Sequence, residues 1–197
     1  MSIFNKALSQ YYQLFSSICT QTAKLGNIVE KCGQPLRNHE WEHKEVVDLS
    51  TMSQSNVCII NASDGSLFST NVKTLEPTAL LYGSIRPYFR KAGFAVNADF
   101  VTGTVHEFKT SKECYLWVLG VISSEKFHDF TNTNSQGTKM PMINFSTMCL
   151  YDMPLPSREV LRSYNEIVSP IYLHIRQIMK KLPLLQREKT ILLEKYF

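Results

Sequence analysis

Apolar residues recur at helical spacing from the first turn. Ile3, Phe4, Leu8, Tyr11, Tyr12, Phe15, Ile18 and Cys19 fall on one face, which predicts a helix over 3–30. Gly26 weakens that pattern and Gly33-Gln34-Pro35 ends it. Segments 39–50, 56–62 and 66–72 read as strands. Asp64-Gly65 marks a hairpin turn between the last two, because glycine accepts the positive φ such a turn requires. Over 78–92, Leu81, Ile85, Tyr88, Phe89 and Ala92 share a helical face. Pro87 either kinks that helix or lies in its first turn, with the helix then starting near Ser84. Gly93 reads as its left-handed C-terminal cap. Strands are expected over 94–101, 104–109 and 113–122. In the last of these, Tyr115, Trp117, Leu119 and Val121 alternate with Leu116, Val118 and Ile122, so both faces are apolar and the strand is expected to be covered on both sides. Residues 131–141, rich in Thr, Asn, Ser and Gly, predict a polar loop, and 143–151 a further strand. Ser157 is placed to cap a helix over 157–168 that Pro170 stops. Segment 171–181 reads equally as strand or helix. Segment 184–197 is an amphipathic helix whose stripe of Leu185, Ile191, Leu192, Tyr196 and Phe197 is a candidate partner-binding face.

Strands in succession, with helices at the start, middle and end, predict an α+β fold with a mainly antiparallel, barrel-like sheet. The 197 residues suffice for a single domain: an N-terminal helix over 3–30, a barrel over 39–179 and a helical tail over 184–197. A net charge of +4 is a mild excess, short of the clustered Lys and Arg of a nucleic-acid binder, so no direct nucleic-acid contact is expected. The densest basic run, Lys180-Lys181 with Arg187 and Lys189, reads as a solvated helix face. The five cysteines are widely spaced without a CxxC pair, which argues against zinc and for a reducing compartment. No apolar run is long enough to span a membrane, and the N-terminus lacks a signal-peptide core.

The sharpest candidate chemistry is His39-Glu40-Trp41-Glu42-His43-Lys44. On a strand, Glu40, Glu42 and Lys44 would project to one face, where two carboxylates can hold a divalent cation and a lysine a phosphate. This spacing resembles the signature of the triphosphate tunnel metalloenzymes, which cleave nucleoside or RNA 5′-triphosphates inside a β-barrel. The later strands, however, carry Val, Phe, Leu, Trp and Tyr in place of further carboxylates and cations. The five histidines, at 39, 43, 106, 128 and 174, make no catalytic constellation. There is no G-x-S-x-G nucleophile setting and no phosphate-binding glycine loop.

The segment from Tyr88 to Gly103 carries a second resemblance. Phe89, Gly93, Phe94, Phe100, Val101 and Gly103 resemble the core motif of the Mediator head-module subunit eighteen family: a helix end, glycine and an aromatic, then a strand closing on an aromatic–aliphatic pair and glycine. The similarity is best over 85–122; elsewhere element order agrees, including the His39-Glu40-Trp41 strand opening and Glu166 to Leu173 as closing helix, proline and strand. The chain departs in lacking a strand before its first helix, in one missing residue between Val101 and Gly103, and in its long tail. The resemblance implies a distorted antiparallel barrel related to that of the tunnel enzymes. It also implies a nuclear, non-catalytic coactivator subunit linking regulators to RNA polymerase II, with partners like Mediator subunits twenty and eight. No cofactor is implied. The alternatives are a metal-dependent triphosphatase using Glu40, Glu42 and Lys44, and an α+β interaction protein of viral or other origin.

Overall fold

The structure is a computed structural model describing residues 3–37, 39–54 and 56–196. Helix α1 (Ile3–Ser16) buries Phe4, Leu8 and Tyr12, one per turn. It stops well before residue 30: the Ser16 and Ser17 hydroxyls donate to the Gln13 and Leu14 carbonyls at 3.2 and 2.7 Å. Strands β1 (Gln21–Lys24) and β2 (Val29–Lys31) follow, then β3 (Glu45–Val47), β4 (Cys58–Ile59), β5 (Ser63–Asp64), β6 (Val72–Thr74), β7 (Leu80–Gly83), β8 (Ala92–Ala95), β9 (Phe100–Thr102) and β10 (Val105–Thr110). Helices α2 (Tyr115–Ile122), α3 (Glu125–Thr133) and α4 (Phe145–Met148), strand β11 (Asp152–Leu155) and the long α5 (Arg158–Tyr196) complete the chain.

The fold is α+β with mainly antiparallel pairing and helices at the N-terminus, centre and C-terminus, as the residue pattern predicts. Among the described residues the strands form three sheets, ordered β1-β11, β2-β10-β7-β8-β4 and β5-β3-β9-β6, and no closed barrel. The two parallel contacts are β3 on β9 and β4 on β8.

Alternation along β7 shows how the layers stack. Leu80 and Tyr82 point into the main core with Phe4, Phe94, Phe108, Trp117 and Tyr164. Leu81 points the other way, into a second cluster with Val47, Met52, Ile59, Val101 and Val105. The five-stranded sheet therefore has helices on one face and the four-stranded sheet on the other. A third small cluster, Trp41 with Val46 and Val72, lies around the four-stranded sheet.

Several elements differ from the sequence expectation. Segment 113–122 is a turn at 113–114 followed by helix α2, buried at every position from Tyr115 to Ile122; an apolar run without a polar face fits a buried helix as well as a covered strand. Segment 78–92 is β7, an arch and the start of β8. Gly93 lies inside β8, paired with Leu81, and caps no helix. The expected strand over 143–151 is largely the short α4. Pro170 and Pro183 both lie inside α5, which resolves 171–181 as helix. Interior proline costs about 3 kcal/mol, and here docking holds the helix together across Pro170. Tyr164, Val168 and Tyr172 are buried along one stripe, Asn165 Nδ2 donates to the Glu113 carbonyl at 2.8 Å, and Arg176 Nη2 to that of Pro77 at 2.9 Å. Ser157 does cap α5, accepting from the Val160 N–H at 3.2 Å.

Candidate nucleic-acid interface

Between β7 and β8 the chain makes a tight arch, Ser84–Lys91. Pro87 fixes the first φ of a single 3-10 turn over Pro87–Phe89. Arg86 on one side (φ 50°) and Arg90 on the other (φ 55°) both adopt the left-handed conformation. That region costs a non-glycine residue about 1–3 kcal/mol, and local hydrogen bonds secure it: Phe89 N–H to the Arg86 carbonyl at 2.9 Å, Arg90 N–H to that of Pro87 at 2.8 Å. Gly83 N–H donates to the Lys91 carbonyl at 2.8 Å and closes the base. Between the arginines Tyr88 is 47% exposed, its ring tilted on Phe89 at 4.7 Å.

The two arginines are electrostatically unlike. Arg90 lies near Glu125 (3.5 Å) and Asp129 (3.7 Å) of α3 in exposed ion pairs, which contribute little and exchange readily. Arg86 has no ion pair among the described residues. Lys91 Nζ is turned inward to the Leu49 carbonyl.

Helix α3 is fixed beneath the arch by a buried polar cluster. The Tyr82 hydroxyl lies 3.1 Å from His128 Nδ1 and 2.7 Å from Thr131 Oγ1. Burial holds the His128 pKa down at about 4, so its imidazole is neutral at pH 7. Burial also raises Tyr82 to about 12. Ser124 caps the helix start, accepting from the Phe127 N–H at 3.3 Å.

Next to the arch stands a short finger, 136–142. Gln136 and Met142 exchange backbone hydrogen bonds of 2.8 Å each way. Arg86 N–H donates to the Pro141 carbonyl at 2.7 Å, and Ile143 N–H to that of Ser84 at 2.9 Å, so arch and finger share one hydrogen-bonded base.

A second charged cluster lies on the opposite side of the five-stranded sheet. Glu107 is fully buried; its Oε1 accepts from the Glu76 N–H at 2.8 Å, and Oε2 has no hydrogen-bond partner. Burial raises its pKa, against the opposing pull of Lys73. A Cβ on Gly33 would come within 2.0 Å of Oε2, so this carboxyl and the 32–36 crossover fit each other only with glycine there. The cluster ties the 32–36 crossover to the loop at Glu76.

The residues singled out in the sequence are not brought together. Glu40, Glu42 and Lys44 lie in exposed turns before β3, where no strand alternation aligns them. His39 contacts Glu42 at 3.7 Å, and the buried member of the segment is Trp41, whose indole N–H donates to the Phe68 carbonyl at 2.8 Å. Among the described residues no group of three metal-ligating side chains occurs. Of the second motif, Phe89 is in the arch, Gly93 and Phe94 in β8, and Phe100 and Val101 in β9 of a different sheet, with Gly103 at the β9–β10 turn. Leu185, Ile191, Leu192 and Tyr196 are exposed on the outer part of α5, and Phe197 lies outside the described residues. Arg86-Pro87-Tyr88-Phe89-Arg90-Lys91 interleaves cations with aromatics, a signal for the arch that the helical spacing of Leu81, Ile85, Tyr88, Phe89 and Ala92 masks.

No known family's sequence profile matches the chain, and no curated protein matches it in sequence. Solved structures do share its fold. A chain from a structural study of complex assembly and conformational transition in the type I R-M (restriction–modification) system aligns with a TM-score of 0.61 at 13% identity, over 89% of this chain and 47% of that one. The HsdS subunit from Thermoanaerobacter tengcongensis aligns with a TM-score of 0.57 at 12% identity, again over 89% and 47%. The chain thus spans about half the length of the solved chains it matches.

This likeness overturns the family expectation: the shared fold is that of restriction–modification chains, not of Mediator head subunits or triphosphate tunnel enzymes. The nuclear coactivator role, the partners like Mediator subunits twenty and eight, the exclusion of nucleic acid and the triphosphatase alternative fall with it. The Mediator motif failed physically because its two halves belong to different sheets, and the carboxylate motif because its residues are on turns.

Proposed function

We propose that this chain is a recognition module for duplex DNA, comparable to half of an HsdS subunit, acting by binding and without catalysis. The observation that carries the reading is the Arg86–Arg90 arch: an unpaired guanidinium, an exposed tyrosine and a second, exchangeable guanidinium on a backbone held in a strained conformation. Strain of this kind persists where the surroundings over-determine it, and it clusters at functional sites. Guanidinium groups donate in the fork geometry that phosphate accepts. The fold shared with a restriction–modification system, whose task is to find a DNA target, supplies the context.

The outer part of α5 is proposed as an assembly helix. Past Met179, the last residue packed on the core, it runs through residue 196, about 25 Å at 1.5 Å per residue. There Leu185, Ile191, Leu192 and Tyr196 are exposed at 58%, 52%, 55% and 67%.

Fluorescence anisotropy with a labelled random duplex, titrated with salt, tests the DNA reading. Each phosphate contact contributes about 0.9 to the slope of log affinity against log salt. Arg86→Ala with Arg90→Ala is expected to lower the slope by about 2 and to weaken binding alike on every sequence. Absence of salt-dependent binding, or an unaltered slope in the double variant, refutes the proposal.

A further inference from the structure

Resting on the DNA-recognition reading, we infer that the finger 136–142 reads base edges from the major groove while the arch beside it holds phosphates. The finger is a closed ribbon. Its two ends, Gln136 and Met142, exchange both backbone hydrogen bonds, each 2.8 Å. At its turn Gly137 has φ +98°, a conformation that favours glycine, and a Cβ there would meet the Met140 carbonyl oxygen at 3.2 Å. The base is fixed from two sides, by Arg86 N–H on the Pro141 carbonyl (2.7 Å) and by His106 Nε2–H on the Ile143 carbonyl (2.7 Å). A ribbon so rooted presents its side chains at a set angle to the arch.

Its chemistry differs from that of the arch. Gln136, Thr138, Lys139, Met140 and Met142 are exposed, the two methionines at 50% and 40%. Gln and Thr offer the mixed donors and acceptors that discriminate base edges, and Lys offers a donor to guanine. The methionine side chains, costly to leave in water, suit the thymine methyl group. Lys139 makes no ion pair among the described residues.

Size selects the groove. The residues between Gln136 and Met142, folded back on themselves, reach about 8 Å at roughly 3.3 Å per residue. The major groove is about 8.5 Å deep and about 12 Å wide, enough for a two-stranded ribbon; the minor groove, about 6 Å wide, is too narrow. The arch, continuous with the finger root, then meets the backbone at the groove edge, where Arg86 is free to take a phosphate.

Selection from randomised duplexes followed by sequencing tests the assignment, using the whole chain. Thr138→Ala with Met140→Ala is expected to alter the selected sequence at one or more positions. It should cost at least tenfold on the wild-type sequence, change random-duplex affinity by less than twofold and leave the salt slope intact. Arg86→Ala should weaken both duplexes by the same factor. Dimethyl sulfate protection of the wild-type complex should fall on guanine N7, in the major groove. An unchanged selected sequence in the finger variant, or protection confined to adenine N3 in the minor groove, overturns the inference while salt-dependent binding leaves the DNA reading standing. A wild-type chain that binds no duplex at any salt sinks both. Because the substituted side chains are exposed, equal melting of variant and wild type shows that a loss is not unfolding.

Discussion

Replacing Gly93 by alanine separates two explanations for one glycine. As a helix cap, it would need a left-handed conformation, and asparagine would serve nearly as well. In the structure it is a strand residue of β8 under the preceding loop. A Cβ there would stand 2.0 Å from the Val57 carbonyl oxygen, 2.7 Å from its carbon and 2.9 Å from its Cα. These are backbone atoms, so no side chain can swing aside. Restoring contact at 3.4 Å requires Val57 to retreat by about 1.4 Å. That movement breaks the 2.8 Å bond from Phe94 N–H to the Val57 carbonyl and strains the parallel pairing of Cys58 with Phe94 and Ile59 with Ala95. Overpacking costs about 1–3 kcal/mol and each lost hydrogen bond about 1 kcal/mol, so Gly93→Ala should destabilise by about 3 kcal/mol. For a chain of this length that lowers Tm by about 6–12 °C, with Gly93→Asn at least as damaging. Differential scanning calorimetry of the two variants decides it. A Gly93→Ala protein melting within about 1 °C of the original, or an asparagine variant as stable as glycine, would refute the close-approach explanation.

Stability should also fall in mild acid. The His128 pKa is near 4 when folded and 6.5 when free, so the unfolded chain takes up the proton first. The contribution is full above pH 6.5, declines as pH falls towards 4 and is worth up to about 3 kcal/mol; burial shifts His106 the same way. Glu107 acts oppositely, its raised pKa giving stability that is lost as pH rises through its folded value. Urea melts between pH 4.5 and 7 should show a shallower acid slope for His128→Gln, and identical slopes would contradict the assignment. Ending the chain at Pro183 should leave Tm within about 2 °C and DNA binding intact while abolishing α5-mediated assembly in light scattering; a drop above about 5 °C would show that the stripe packs on its own domain.

How far the residues disclose the fold depends on whether local pattern and tertiary packing agree. They agree at the start of α1, along β10, at the Ser157 cap and in the tail helix, where period and end signals coincide. They part company where burial removes the polar half of a pattern. From Tyr115 to Ile122 every residue is buried, so no hydrophilic face reveals whether the period is 2 or 3.6. Pro170 is a strong local stop that Tyr164, Val168, Tyr172 and Arg176 outweigh by long-range contacts. The 78–92 stretch misled in the opposite sense: Leu81 and Ala92 satisfied a helical spacing but are strand residues on either side of a turn.

The site was hidden by the same confusion. Counting charge across the whole chain gives only +4, and the densest basic run, at Lys180 and Lys181, lies on α5. Nucleic-acid contact depends on local placement more than on net charge. Here the placement comes from two left-handed arginines around Pro87 and from a finger hydrogen-bonded to their base. Neither is visible while 78–92 is drawn as a helix, since a helix would commit the Arg86 N–H to its own ladder and leave it no bond to give the finger. Folding the stretch into an arch instead frees that N–H for the Pro141 carbonyl and roots the 136–142 finger on the arch. The correction from helix to arch is therefore also the step on which the proposed nucleic-acid contact rests. If Arg86 and Arg90 proved dispensable for DNA binding, that link between local backbone and function would be lost, even with the fold unchanged.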